Sequence, residues 1–288
     1  FSSTGGYQRA AEKCNGSGDC IKPILSGGTM CPTYQASKDE SLSTRARANM
    51  LREIITNESD PFTNKDLHQI LDLCISCKAC KSECPANVDV SKLKAEFLQK
   101  YYDRKGVPLR SRLVANITKV NRLMSGFPGL SNFFLSKRFF SVPAMSLLGF
   151  SAKRKMPELS KKTVRKHYLK HKPKSSDKKI YLFADEFTNY NDADIGIKAI
   201  QLSEALGYEV IIPKITESGR SYLSKGLIKK AKKIAKKNIG VLKDIVNEER
   251  PFIGIEPSTI LSFRDGYPDF FKQGEAEKKS AQSIASHT

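Results

Sequence analysis

The chain has 288 residues, 39% of them hydrophobic, with 49 Lys and Arg against 30 Asp and Glu, seven Cys and no Trp. That is enough apolar sequence for one large folded domain or two small ones, and the absence of any run of about 18 apolar residues excludes a spanning helix. The net charge of +19 is concentrated in the middle, where residues 101–180 hold 20 basic and 3 acidic side chains. The flanks have the charge balance of ordinary globular domains, and the middle reads as a basic connector. Phe1 is not an initiator Met and nothing near it resembles a signal segment, so the chain is expected to begin mid-protein or to have been processed.

In chain order, Cys14-Asn-Gly-Ser-Gly-Asp-Cys20 comes first and Cys31-Pro32 follows. Thr44 to Ile55 has a helical period, with Ala48, Leu51, Ile54 and Ile55 on one side and Arg45, Arg47 and Arg52 mostly elsewhere. Asn64 is placed to cap a helix that runs to Leu73, and His68 on that helix reads as a surface or cap residue rather than a ligand. Cys74, Cys77, Cys80 and Cys84 form C-x-x-C-x-x-C-x-x-x-C-P, closed by Pro85. A helix from Val90 to Tyr102 carries Leu93, Phe97 and Leu98 on a common face.

All seven cysteines precede residue 85, which points to one region of chemistry. The 74–84 spacing is the bacterial iron–sulfur run, whose fourth Cys serves a second cluster. Zinc sites more often pair two C-x-x-C knuckles across a longer loop, and disulfides between cysteines this close would be strained. Cys14 and Cys20 keep the separation of a first and third ligand, with Ser17 in the second position, and Cys31-Pro32 supplies a displaced closing C-P. Cross-ligation then assigns Cys31, Cys74, Cys77 and Cys80 to one [4Fe–4S] cluster. Cys14, Cys20 and Cys84 are left for another, either [3Fe–4S] or [4Fe–4S] with a non-thiolate fourth ligand, for which Ser17 is the nearest oxygen. The 42 residues between Cys31 and Cys74 favour an α-helical ferredoxin-like domain over a compact β-rich one.

The strings CNGSGDC, GTMCPTYQASKDESLSTRARANMLR and CISCKACKSECPANVDVSKLKAEF resemble the iron–sulfur portion of the FAD-linked oxidase family. They are more distantly similar to cluster subunits of anaerobic glycerol-3-phosphate dehydrogenase and glycolate oxidase. The resemblance implies a flavin-dependent D-2-hydroxyacid dehydrogenase of the lactate or glycolate type, with FAD and substrate domains lying before Phe1. It further implies that electrons pass from FAD through two clusters to quinone or a soluble carrier, and that no catalytic residue lies in this chain. A stand-alone cluster subunit docking on a flavoprotein is the alternative within that chemistry. The alternative of another class is a non-redox, metal-stabilised protein that binds an anionic polymer.

Leu109, Leu113, Ile117, Val120 and Met124 form an apolar stripe, and a broken apolar stretch, FPGLSNFFLSKRFFSVPAMSLLGF, follows it. One reading packs these helices on the cluster domain with a solvated basic face. Another brings them to anionic lipid, as a peripheral contact on the inner face of a membrane for an otherwise cytoplasmic protein. Residues 151–179, with 12 Lys or Arg plus His167 and His171, have linker composition and lack the aromatic platforms of a nucleic-acid site.

From Lys179 the period changes. Strands at Lys179–Ala184, Glu209–Pro213 and Phe252–Glu256 alternate with helices at Asp194–Leu206 and Ser221–Val246, which argues for a small α/β domain with a parallel sheet. This half resembles the cysteine-rich domain of heterodisulfide reductase subunits. Its two metal-binding loops match Glu217-Ser218-Gly219-Arg220 and Glu256-Pro257-Ser258-Thr259, where no Cys remains. Oxygen donors do not replace thiolates around such a cluster, so the fold is expected without its metal. The same loops leave a hard-cation site on Glu217 and Glu256, or a salt bridge to Arg220, as roles for the acids. The domains expected are therefore 1–105, a connector at 106–178, an α/β domain at 179–272 and a polar tail at 273–288.

Overall fold

The computed structural model describes residues 5–171 and 175–288; residues 172–174 of the expected linker lie outside them. Two compact units are present, residues 1–107 with 223–228, and residues 108–222 with 229–288.

The first unit is helical. It contains α1 (Tyr7–Ala11), α2 (Pro32–Ser37), α3 (Thr44–Asn57), α4 (Lys65–Asp72), α5 (Ala79–Glu83) and α6 (Val90–Lys105). Caps set the long helices. Ser43 accepts from the Ala46 N–H, Asn64 from Leu67 and Asp89 from Lys92, each satisfying a first-turn donor that the helix leaves open. Leu51, Leu67, Leu71, Leu93, Phe97 and Leu98 are at most 1% exposed, and burying each contributes about 1.5–3 kcal/mol. Tyr7 closes the core from α1, its hydroxyl donating to the Leu93 carbonyl at 2.7 Å. One expectation on α3 fails: Arg47, read as lying off the apolar side, is 2% exposed. It stands one turn before Leu51 and therefore points the same way.

The second unit begins with α7 (Leu109–Ala115), α8 (Ile117–Met124), α9 (Pro128–Ser136), α10 (Arg138–Leu147) and α11 (Val164–Lys170). The expected stripe from Leu109 to Met124 does not become a buried face. The helix breaks at Asn116, and Ala115, Thr118 and Asn121 are buried while Leu109 and Leu123 stay exposed. Asn121 donates to the Asn191 side chain at 3.0 Å, and Asn116 accepts from the Tyr222 hydroxyl at 2.8 Å. Polar pairing rather than apolar contact holds these helices.

The sheet is parallel, as the alternation of strands and helices implies. Strands β1 (Lys179–Phe183), β2 (Glu209–Ile211) and β3 (Phe252–Gly254) lie in the order β2-β1-β3, with Lys179 opposite Glu209 and Tyr181 opposite Phe252. Alternate residues of β1 serve opposite faces. Ile180 and Leu182 pack with Val164 of α11 and with Ala193 and Ile200 of α12 (Ala193–Ala205). Tyr181 and Phe183 pack with Phe252, Phe263 and three residues of α14 (Ile228–Leu242), namely Ala235, Ile239 and Leu242. The expected single helix from Ser221 to Val246 is two, because α13 (Arg220–Ser224) ends before Gly226. Residues 273–288 are no tail: α15 (Pro257–Leu261) is followed by α16 (Ala276–Ser286), which seats Ala281 and Ile284 in the Phe252 core.

Candidate metal centre

None of the seven cysteines is in a disulfide. Cys31, Cys74, Cys77 and Cys80 line one hollow together with Thr44, Arg47 and Val90. The 74–80 loop bends inward because Ser76 and Lys78 both have left-handed backbone, φ 57° and 64°. That handedness turns amides toward sulfur, in the manner of a nest. The Ser76 N–H donates to Cys74 Sγ at 3.4 Å, and the backbone amides of Ala79 and Val90 lie near Cys77 and Cys80, where they oppose the rise that burial imposes on those thiols.

Cys31 reaches this loop through a carboxylate clamp. Glu83 accepts from the N–H of Thr29 at 2.9 Å and of Met30 at 2.8 Å, and from the Thr29 hydroxyl. The residue before Cys84 is thereby tied to the two residues before Cys31. Thr33 adds a hydroxyl bond to the Leu73 carbonyl at 3.1 Å.

Two buried cations border the cysteines. Arg47 donates through Nε to the Ile70 carbonyl at 3.1 Å and through Nη1 to Cys31 Sγ at 3.4 Å, and its Nη2 is buried with no partner among the described residues. Lys94, 4% exposed, donates to the carbonyls of Asp72 at 3.1 Å and Cys74 at 2.6 Å. Burial holds its ammonium down to about 8. Burial also pushes the Cys80 thiol up to about 12. A metal ligand must be the thiolate, so a guest here has to bring positive metal to the sulfurs and present negative surface to Arg47 and Lys94. An iron–sulfur cluster does both, with cationic iron inside and anionic sulfide outside. The donor types suit that group, and among the described residues no three of these side chains already converge on one point as a metal site.

Cys14 and Cys20 are electrostatic neighbours, and Cys20 also feels Cys31. The Cys20 thiol is raised by burial and opposed by the Arg45 N–H, which donates to its Sγ at 3.3 Å. Cys84 lies just past α5, half-buried, and is not among the residues lining the Cys31 hollow. Ser17 lies near the Asp19 carboxylate, and its N–H donates to Asn15 Oδ1 at 3.2 Å. His68 stacks on Tyr101 with ring centroids 4.5 Å apart, and burial lowers its pKa.

A 4Fe–4S dicluster domain model matches residues 10–88, the stretch that holds every cysteine. The D-2-hydroxyglutarate dehydrogenases of Pantoea ananatis and Escherichia coli are 25% and 23% identical to the chain, each over 308 aligned residues covering 90% of it. The resemblance to the iron–sulfur portion of the FAD-linked oxidase family is borne out. A probable glycolate oxidase iron–sulfur subunit of Bacillus subtilis is 28% identical over 85 residues, which is 29% of this chain and 19% of that protein. The chain spans about 30% of the length of the D-2-hydroxyglutarate dehydrogenases. No solved structure matches. The chain is thus similar to a 4Fe–4S dicluster domain in its cysteine-bearing part, and over most of its length to oxidoreductases. Among its described residues no helix is long and apolar enough to cross a membrane.

The segment's second unit gathers polar groups beyond the carboxyl ends of its strands, the edge where α/β sheets form sites. Asp185 and Glu186, after β1, are both fully buried. Glu186 accepts from the Ser218 N–H at 2.9 Å and hydroxyl at 2.7 Å. Asp185 accepts from the N–H groups of Phe187 and Thr188. Tyr267 donates to the Ser218 carbonyl at 2.9 Å and accepts from Asn238 at 2.8 Å. Ser218, in the first degenerate loop, is thus held by a carboxylate. Glu256, in the second, caps α15 through the Thr259 N–H at 2.7 Å and accepts from the Ser258 hydroxyl. Glu217 lies near Thr118, Lys119 and Lys237, and burial raises its pKa. Burial raises Glu186 to about 7.

Sequence reading missed Arg47, Lys94, Glu83 and the Asp185–Glu186 pair. Arg47 had a signal in its one-turn spacing from Leu51. The other partnerships join residues far apart in the chain and had none.

Proposed function

We propose that the chain is the iron–sulfur electron-transfer segment of a flavin-dependent D-2-hydroxyacid dehydrogenase, built on a helical ferredoxin-like domain. Cys31, Cys74, Cys77 and Cys80 would hold one [4Fe–4S] cluster. Cys14, Cys20 and Cys84 would hold a second, of [4Fe–4S] or [3Fe–4S] type. Bound clusters supply single-electron chemistry between reduced FAD, in a partner domain or subunit, and an acceptor such as quinone. The chain's own residues do the holding. The Ser76 amide, with those of Ala79 and Val90 nearby, would stabilise sulfur charge, and Arg47 and Lys94 would offset the rest of it.

The single observation that supports this reading best is that Cys31 shares a hollow with Cys74, Cys77 and Cys80, beside a buried guanidinium nitrogen that has no partner among the described residues. The relatives' name makes D-2-hydroxyglutarate the first substrate to try. A separate iron–sulfur subunit docked on a flavoprotein is the second reading, favoured by the similarity to a glycolate oxidase iron–sulfur subunit.

The test is anaerobic purification with iron and sulfide analysis. Broad visible absorption bleached by dithionite is expected, and Cys31→Ser should lose roughly half the iron. A colourless, zinc-bearing protein, or a Cys31→Ser variant with its iron undiminished, overturns the assignment. In the complete holoenzyme D-2-hydroxyglutarate should bleach the same absorption, and the L enantiomer should not.

A further inference from the structure

Between Pro108 and Met156, all within the second unit, the chain has nine Lys or Arg and no Asp or Glu. All nine cationic side chains are exposed. The same stretch leaves large apolar groups in water: Leu147 is 88% exposed, Phe139 84% and Phe127 76%. Helices α9 and α10 pack on each other as a hairpin with Lys137 alone between them. Their rings cluster, with Phe133–Phe134, Phe134–Phe140 and Phe139–Phe140 centroids 5.6, 5.1 and 5.2 Å apart. Beside them an open apolar groove is lined by Met124, Phe134, Phe140, Met145, Leu148 and Phe150. Cations stand over this surface, Lys137 at 5.9 Å from the Phe133 centroid and Arg110 at 5.1 Å from that of Phe150.

Exposed apolar patches of this kind mark interaction sites, and the charge pattern selects the partner. A protein surface presents both signs and is matched by both signs. Here the 108–156 stretch brings one sign alone to an aromatic face, the nearest acid in sequence being Glu158 beside the Asn132–Leu159 contact. That balance complements a surface that is negative everywhere and apolar just below. We propose that the α9–α10 hairpin docks on an anionic lipid bilayer, with Phe127, Phe139 and Leu147 entering the headgroup–acyl boundary and the flanking Lys and Arg meeting the headgroups. The docking goes beyond electron transfer and does not depend on it, since no cysteine takes part.

The test uses the 288-residue chain, with and without iron, and vesicles of phosphatidylcholine with or without roughly a quarter phosphatidylglycerol. Co-sedimentation with the anionic vesicles is expected, weakening as salt rises. Phe127→Ser with Phe139→Ser, and separately Lys137→Ala with Arg138→Ala, should each lower partitioning by roughly tenfold or more. These side chains are exposed, so unchanged circular dichroism should accompany the loss. Failure to bind, equal binding to neutral vesicles, or variants that bind like the parent would overturn the proposal. So would a dimer that the Phe variants dissociate and that does not bind vesicles, because it assigns the face to a second copy.

Discussion

The two units both bury charged side chains where loops converge, and they do so with opposite sign. In the first, Arg47 and Lys94 stand beside thiols, and one guanidinium nitrogen is left without an acceptor among the described residues. In the second, Glu186 and Asp185 accept from Ser218, Phe187 and Thr188, and Asp185 Oδ2 is left without a donor among the described residues. A buried polar group without a partner is costly, and the cluster proposed above would supply the first centre with an anionic one. The second has gathered most of its partners from its own chain.

Removing iron should break the comparison most visibly. Stripping the protein with a chelator under oxidant should expose the amides of α3, α4 and α6 to hydrogen exchange, because metal binding is folding free energy for the unit that holds it. The amides of β1 and α14 should keep their protection. Equal loss in both units would show that the second also leans on metal.

The next largest effect belongs to the second unit alone. Glu186 has an ordinary pKa of 4.5, raised by burial to about 7, so the folded state binds the proton more tightly than the unfolded one. Stability from this group is full below about pH 4.5 and is lost as pH rises through about 7, at most about 3 kcal/mol. Asp185, also raised by burial, pulls the same way. Urea melts of the sheet unit between these pH values should flatten in Glu186→Gln, and an unchanged slope would remove Glu186 from the account.

The smallest effect sharpens the contrast from the other side. Lys94→Met deletes a buried cation beside the cysteines and should lower the midpoint potential of one centre by on the order of tens of millivolts, since a nearby positive charge favours the reduced form. Iron content should not change. A potential equal to that of the parent would make Lys94 a packing residue.

Much of this was legible because it rests on local pattern. The cysteine spacing, the Asn64 cap and the strand that starts at Lys179 can each be read within a few residues. What escaped depends on distant partners. Arg47 is buried because Ile70 and Cys31, 23 and 16 residues away, accept its protons. Glu83 matters because Thr29 and Met30 arrive from 54 and 53 residues upstream. Helix α16 was missed because a single buried pair, Ala281 and Ile284, is too little apolar signal against a polar composition. The 109–124 stripe misled for the converse reason: regular spacing promised a continuous helix that Asn116 interrupts.

Residues 223–228 belong to the cysteine-bearing unit although the sheet unit surrounds them in sequence. Gly226, at φ +70°, lies so close to Leu98 that a methyl group there would collide with its Cβ, and Leu227 beside it is buried. Severing the polypeptide after residue 107 would therefore leave α6 without a hexapeptide it packs against. Anyone dissecting this protein by truncation, or shuffling its halves among homologues, must carry that short strip along, for heredity cannot trade the sulfur-rich portion as a single uninterrupted block.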